Sequence, residues 1–162
     1  MDRQKFWLIK SEPNAYSFQD LLGEDNQTAE WDGVRNYQAR NFLRDEMKIG
    51  DGILFYHSSS DPLAIMGLAK VVREGYPDFT ALDLNSIHYD PKSTEATPIW
   101  YMVDIKAEKE FREPITRDEL KNTTELGDMM LLQRGSRLSI QPVTPAQWEI
   151  IMKIVENKGS EK

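Results

Sequence analysis

Short apolar runs alternate along the chain with polar, turn-forming segments, and the period of each run names the element it predicts. Phe6-Trp7-Leu8-Ile9 is continuous and apolar, stops at Lys10-Ser11-Glu12-Pro13, and reads as a buried strand. Ser17 with Asp20 three residues on predicts a short helix capped by Ser17. Over 37–47, Ala39, Phe42, Leu43 and Met47 form one apolar helical stripe, which Gly50-Asp51-Gly52 breaks. The apolar runs 53–56 and 64–72 flank Ser58-Ser59-Ser60-Asp61-Pro62 in the pattern of a hairpin. Residues 99–111 alternate, with Ile99, Tyr101, Val103, Ile105, Ala107 and Phe111 on one face and Asp104, Lys106, Glu108 and Glu110 on the other.

Two capping boxes mark later helices. They are Thr116-Arg117-Asp118-Glu119 and Thr144-Pro145-Ala146-Gln147, the second with proline at its first helical position. Trp148, Ile151, Met152 and Val155 give the last helix, near 144–156, its buried face. Strands interspersed with short helices define an α+β class. The economical arrangement is a curled β-barrel of about five or six strands with peripheral helices.

Composition narrows the function. With 162 residues, no repeat and no low-complexity linker, residues 4–156 read as one domain, and the polar tail from Asn157 to Lys162 is expected to fray. Hydrophobic residues make up 40% and charged residues 29%, which is ordinary for a soluble protein. No apolar run approaches the roughly 20 residues that a membrane span needs, and the first residues lack a signal-peptide core. The chain has no cysteine, which removes disulfides, thiolate catalysis and cysteine zinc sites and fits the cytoplasm. A net charge of −7 and a pI near 4.9 count against a broad grip on nucleic acid phosphates. A nucleic-acid ligand would have to be held by a local basic patch and a specific pocket.

Catalytic chemistry finds little support. His57-Ser58-Ser59-Ser60-Asp61 holds the residue types of a hydrolytic triad, but five neighbours in one turn cannot converge as nucleophile, base and orienter. His57 and His88 are isolated from each other, and no histidine pair has metal-ligand spacing. His88-Tyr89-Asp90-Pro91 reads as a capped turn, and phosphate-cradling glycine loops are absent. No metal or cofactor is expected.

Aromatic side chains stand out instead. Trp31 lies in a polar loop between Glu30 and Asp32, where it is either a plug on the core or a wall on which a base stacks. Trp100 falls on the polar face of its strand pattern and faces either a covering helix or a groove. Lys10 and Ser11 end the first strand. Asn36, Tyr37, Gln38, Arg40 and Asn41 supply donors for base edges or phosphates, although Asn36 also suits a helix N-cap.

The same segments carry a family resemblance. Trp7-Leu8-Ile9-Lys10-Ser11-Glu12-Pro13, the block from Trp31 to Asn41, Phe55-Tyr56-His57-Ser58, His88-Tyr89-Asp90-Pro91 and Arg137-Leu138-Ser139-Ile140-Gln141-Pro142-Val143 resemble the signature blocks of EVE domains, in the same order. The resemblance implies a PUA-like fold, related to YTH and ASCH domains, and a pocket for a modified base. By analogy with YTH readers, the cage positions fall on Lys10, Ser11 and Trp31.

The ligand-binding set expected on this basis is Lys10, Ser11, Trp31, Val34, Asn36, Tyr37, Arg40, His57, Ser58, Trp100 and Ser139, with Arg35 and Arg137 on phosphates. The expected function is a non-catalytic reader of a modified base in DNA or RNA. The alternatives are an enzyme acting on nucleic acid or a nucleoside, and a small-molecule or protein-interaction module.

Overall fold

The computed structural model describes residues 4–159. Within them the strands are β1 (Phe6–Ser11), β2 (Thr28–Glu30), β3 (Gly52–His57), β4 (Ala64–Pro77), β5 (Tyr101–Thr116) and β6 (Ile140–Val143). The helices are α1 (Phe18–Leu22), α2 (Tyr37–Asn41), α3 (Arg117–Lys121) and α4 (Pro145–Gly159). Ser160–Lys162, the end of the tail expected to fray, lie outside the described residues. No described helix is long and apolar enough to cross a membrane.

The strands form one sheet in the order β2-β5-β4-β3-β1-β6. β1 runs parallel to β3, with Phe6 opposite Gly52 and Ser11 opposite His57, and every other pairing is antiparallel. The α+β class and the strand number follow the expectation. The barrel is only approximate, because β2 and β6 are edges that do not pair with each other. Both are short, three and four residues, and offer few ladder groups to one another.

The continuous apolar runs arise because both faces of the sheet are covered. Trp7, Ile9, Ile53 and Phe55 point into one core, with Phe18, Leu43 and Val103. Leu8, Leu54 and Tyr56, the alternate positions, point into a second core with Phe111, Leu120 and Ile151. α4 covers the second core: Ile151 is fully buried, and Trp148 is partly exposed and stacks on Phe6 at 4.4 Å.

Local signals account for the helix starts. Ser17, Thr116 and Thr144 each accept a hydrogen bond from the backbone N–H three residues on, and the Asp20, Glu119 and Gln147 side chains accept in return. The helix expected over 37–47 departs from regularity. α2 ends at Asn41 and a wider π-type turn follows over Phe42–Glu46, in which the Met47 N–H reaches the Phe42 carbonyl at 2.9 Å. Here β4 presses on the turn at Gly75, where a Cβ would lie 2.4 Å from the Leu43 carbonyl oxygen. The strand expected from residue 99 begins at Tyr101, leaving Ile99 and Trp100 in the preceding loop.

Asp51 ties the start of this sheet together. It is 2% exposed and accepts hydrogen bonds from the Lys5 N–H at 3.1 Å, the Trp7 indole at 2.9 Å and the Lys48 N–H at 3.0 Å. Asp51→Ala strands these donors, and the expected cost is about 3 kcal/mol of stability. Urea denaturation checks this, and a loss below about 1 kcal/mol would contradict the assignment.

Candidate nucleic-acid interface

A cavity of about 970 Å³ opens at one end of the sheet. Lys10, Ser11 and Ser139 line it from the β1 and β6 side, and Thr28, Ala29 and Glu30 line it from β2. These strands lie toward opposite edges of the sheet, so its curl brings them face to face across the opening.

Trp31 follows β2 directly, and its N–H donates to the Val103 carbonyl at 2.8 Å, which extends the β2–β5 pairing by one residue. Its indole is partly exposed and meets Tyr16 and Phe55 edge-on, with centroids 5.7 and 5.6 Å away. One side of the ring therefore rests on the core while the residue lines the cavity. Tyr16 is held at both ends: its carbonyl accepts from the Ser11 hydroxyl at 2.5 Å, and its own hydroxyl donates to Glu24 at 2.6 Å. Burial, aided by that bond, raises the Tyr16 pKa and keeps the phenol neutral.

The next wall depends on a glycine. Gly33 has φ +81°, and a Cβ there would lie 2.6 Å from the His88 ring, so the imidazole lies against bare backbone. Asp78, 2% exposed, fixes both partners. It accepts from the Gly33 N–H at 2.8 Å, Arg35 Nη1 at 3.0 Å, the Thr80 N–H at 2.9 Å and the Thr80 hydroxyl at 2.5 Å. Arg35 also donates from Nη2 and Nε to the His88 carbonyl at 2.6 and 3.2 Å. Loop 31–36 is thereby clamped to residues 78–88.

Charge at the opening is mainly negative. Glu12, Glu24, Asp25, Glu30, Asp32 and Asp104 line it, against Lys10 and Arg35. Burial, and then the nearby Asp78 carboxylate, raises the Asp32 pKa; burial, Asp104 and Asp32 do the same for Glu30. Lys10 is shifted down by burial and by Arg117, while its ammonium donates to the Ser136 carbonyl at 3.3 Å. For Asp78, burial works to raise the pKa. The hydrogen bonds from Thr80, Gly33 and Arg35 outweigh it and hold the carboxyl below the ordinary value.

Of the residues expected from the sequence, Lys10, Ser11, Trp31, Val34, Arg35 and Ser139 line this cavity together. The others lie elsewhere. Asn36 caps α2, its side chain accepting from the Ala39 N–H at 3.0 Å. His57 Nε2 accepts from the Phe18 N–H at 3.0 Å, and burial lowers its pKa. The Ser58 N–H donates to the Ser11 carbonyl at 3.0 Å, and Arg137 is exposed off the lining.

Trp100 is not on a strand. It is 5% exposed, donates to Asp90 at 2.7 Å and stacks on Tyr37 at 4.9 Å. Arg35 and Arg40 flank that stacked pair, and Arg40 also donates to the Ile99 carbonyl at 2.6 Å. Arg35, expected on a phosphate, donates here to Asp78 and His88.

Sequence reasoning missed Tyr16 and His88 as walls and the acidic lining. An aromatic residue immediately before the Ser17 cap was a usable signal, but it reads as a hydrophobic staple on α1. The carboxylates had none, because acidic residues in loops are the rule.

Both the sequence and the fold have counterparts among known proteins. The EVE domain pattern matches residues 5–154, and the chain belongs to this family. Human thymocyte nuclear protein 1 is 42% identical over 171 residues, an alignment spanning 95% of this chain and 75% of the human protein. Among solved structures, a hypothetical protein from Leishmania major superposes with a TM-score of 0.89 at 43% identity, over 97% of this chain and 98% of that one. Human THYN1 in complex with 5-methylcytosine-containing DNA superposes with a TM-score of 0.87 at 41% identity, over 94% of this chain and 98% of that one.

The Asp78 clamp has a pH signature. Its depressed pKa means that the unfolded chain takes up the proton first as pH falls. Its contribution to stability is therefore whole above about pH 5 and drains away as pH falls through about 3.9 toward the lower folded value. Asp78→Asn is expected to cost about 2 kcal/mol at pH 7, a gap that closes as the pH drops toward 3. Melting curves of both proteins across this range check it, and a gap independent of pH would contradict it.

Proposed function

We propose that this chain, with residues 4–156 acting as one domain, binds nucleic acid by seating a single modified base in the cavity, and leaves that base chemically unchanged. The observation that carries the reading is the wall made by Trp31 and Tyr16 facing Lys10, Ser11 and Ser139, in a chain similar to a human protein held in complex with 5-methylcytosine-containing DNA. Extruding a base from a duplex costs a few kcal/mol. Stacking on an indole returns about 1–3 kcal/mol, so contacts to the base edge must supply the rest. Ser11, Ser139 and Lys10 offer polar edge contacts, and the carboxylates of Glu30 and Asp32 can accept from an exocyclic amine such as the N4 group of cytosine. DNA with a modified cytosine is therefore the first ligand to test. We assign the protein to the cytoplasm, the reducing setting that a cysteine-free chain suits.

The test is binding to oligonucleotides that differ in one modified base, with Trp31→Ala and Trp31→Phe beside the parent. Trp31→Ala is expected to weaken binding of the preferred oligonucleotide by about 1–3 kcal/mol, and Trp31→Phe by less. Equal binding of all oligonucleotides, or no effect of Trp31→Ala, would sink the reading. Mass spectrometry of the recovered strand is expected to show no change in mass, and a converted base would turn the assignment toward an enzyme.

Salt gives an independent check. The lining is mainly acidic and Arg35 is engaged internally, so few phosphates are neutralised. The slope of log K against log salt is expected to be shallower than about −3, corresponding to about three phosphate contacts. A slope near −6 would instead reveal a broad basic footprint.

A further inference from the structure

Seven large apolar side chains are the most exposed among the described residues, and five of them fall within residues 79–89. They are Phe79, Leu82, Leu84, Ile87 and Tyr89, and scattered single exposures would need no account. Ile87 is 93% exposed and also lines the cavity opening, immediately before the His88 wall. Leu84, 77% exposed, precedes it on the same loop.

The loop is fixed in place. The Ser86 N–H donates to the Asp83 carbonyl at 2.9 Å, the His88 N–H donates to the Ser86 hydroxyl at 3.0 Å, and the Asp90 N–H donates to the Ala81 carbonyl at 2.9 Å. Arg35 grips the His88 carbonyl from below. An aliphatic side chain held in water by a pinned loop, at the lip of a cavity with ample room for a base, is placed to fill the gap that an extruded base leaves behind. Minor-groove and architectural proteins likewise insert apolar side chains between base steps and partly unstack them.

We propose that Ile87 is a wedge that enters the base stack of a duplex and holds open the space vacated by the base in the cavity. This rests on the base-binding reading of the cavity and adds a residue that acts on the duplex instead of on the bound base. A wedge matters only where there is a stack to open. Single strands should bypass it.

The probes are a duplex with one 5-methylcytosine, the corresponding single strand, and the same duplex with 2-aminopurine beside the modified base. Ile87→Ser is expected to weaken duplex binding about tenfold, to leave single-strand binding within about twofold, and to remove the 2-aminopurine fluorescence rise that unstacking gives the parent. Ile87→Leu is expected to retain all three properties. The exposure of Ile87 means that neither change should disturb folding, which a melting curve verifies.

Ile87→Ser binding duplex as tightly as the parent overturns the wedge and leaves the apolar loop to a protein partner. Equal weakening on both DNA forms also overturns it, since Ile87 would then touch the bound base. Trp31→Ala, run alongside, separates the two readings: loss of both DNA forms by that variant alone keeps the cavity and discards the wedge. A parent that binds neither DNA form overturns both.

Discussion

The buried carboxylate of Asp78 is the interaction on which the cavity depends. It receives four hydrogen bonds, from Gly33, Arg35 and Thr80, and so joins two loops that are more than forty residues apart. A buried charge is expensive unless each lone pair is occupied and a counter-charge is near, and here both conditions hold. The arrangement also shows what Arg35 does in this structure. Its guanidinium is consumed in neutralising Asp78 and pinning the His88 carbonyl, and its remaining face stacks on Trp100. The wall of the site is in this sense an electrostatic construction with an aromatic surface.

A second buried carboxylate, Asp51, does similar work at the opposite end of β1, where it collects two backbone N–H groups and the Trp7 indole. The two acids bracket the sheet. One fixes where the first strand begins, and the other fixes the loops that its C-terminal end faces across the cavity. Between them, the alternation of Trp7 and Ile9 with Leu8, and of Ile53 and Phe55 with Leu54 and Tyr56, divides the apolar residues between two cores. Val34, Trp31 and Tyr16 belong to or rest against the first core as well as lining the cavity, whereas the second core draws on none of the lining.

Elements governed by local rules were legible in the sequence. The β3–β4 hairpin, the caps at Ser17, Asn36, Thr116 and Thr144, and the buried run of β1 all rest on spacings of a few residues. The cavity was half legible: Lys10, Ser11 and Trp31 were found through motif resemblance, whereas Tyr16 and His88 acquire their positions from contacts that no local window contains. Trp100 shows the limit most clearly. Its place in an alternating pattern made it a strand residue, yet the strand starts one position later, and its partners Asp90 and Tyr37 lie 10 and 63 residues away. The bond from Arg35 to Asp78 was illegible for the same reason, since a lone arginine in a loop gives no sign of an acid 43 residues distant.

The position of β1 between β3 and β6 has a consequence for how the chain is made. Its two neighbours arrive at very different times. β3 follows within some fifty residues and brings its own hairpin partner, β4, so a local nucleus can form early. β6 pairs Phe6 with Val143, close to the other end of the described chain. At the usual synthesis rate of roughly 5–20 residues per second, one flank of β1 waits about 7 to 27 seconds for its partner. During that interval it is an apolar strand edge of the kind that recruits other chains. β6, made well after β1, therefore acts as a cover over that edge, and the vulnerable period of the strand falls while the intervening chain is still being synthesised.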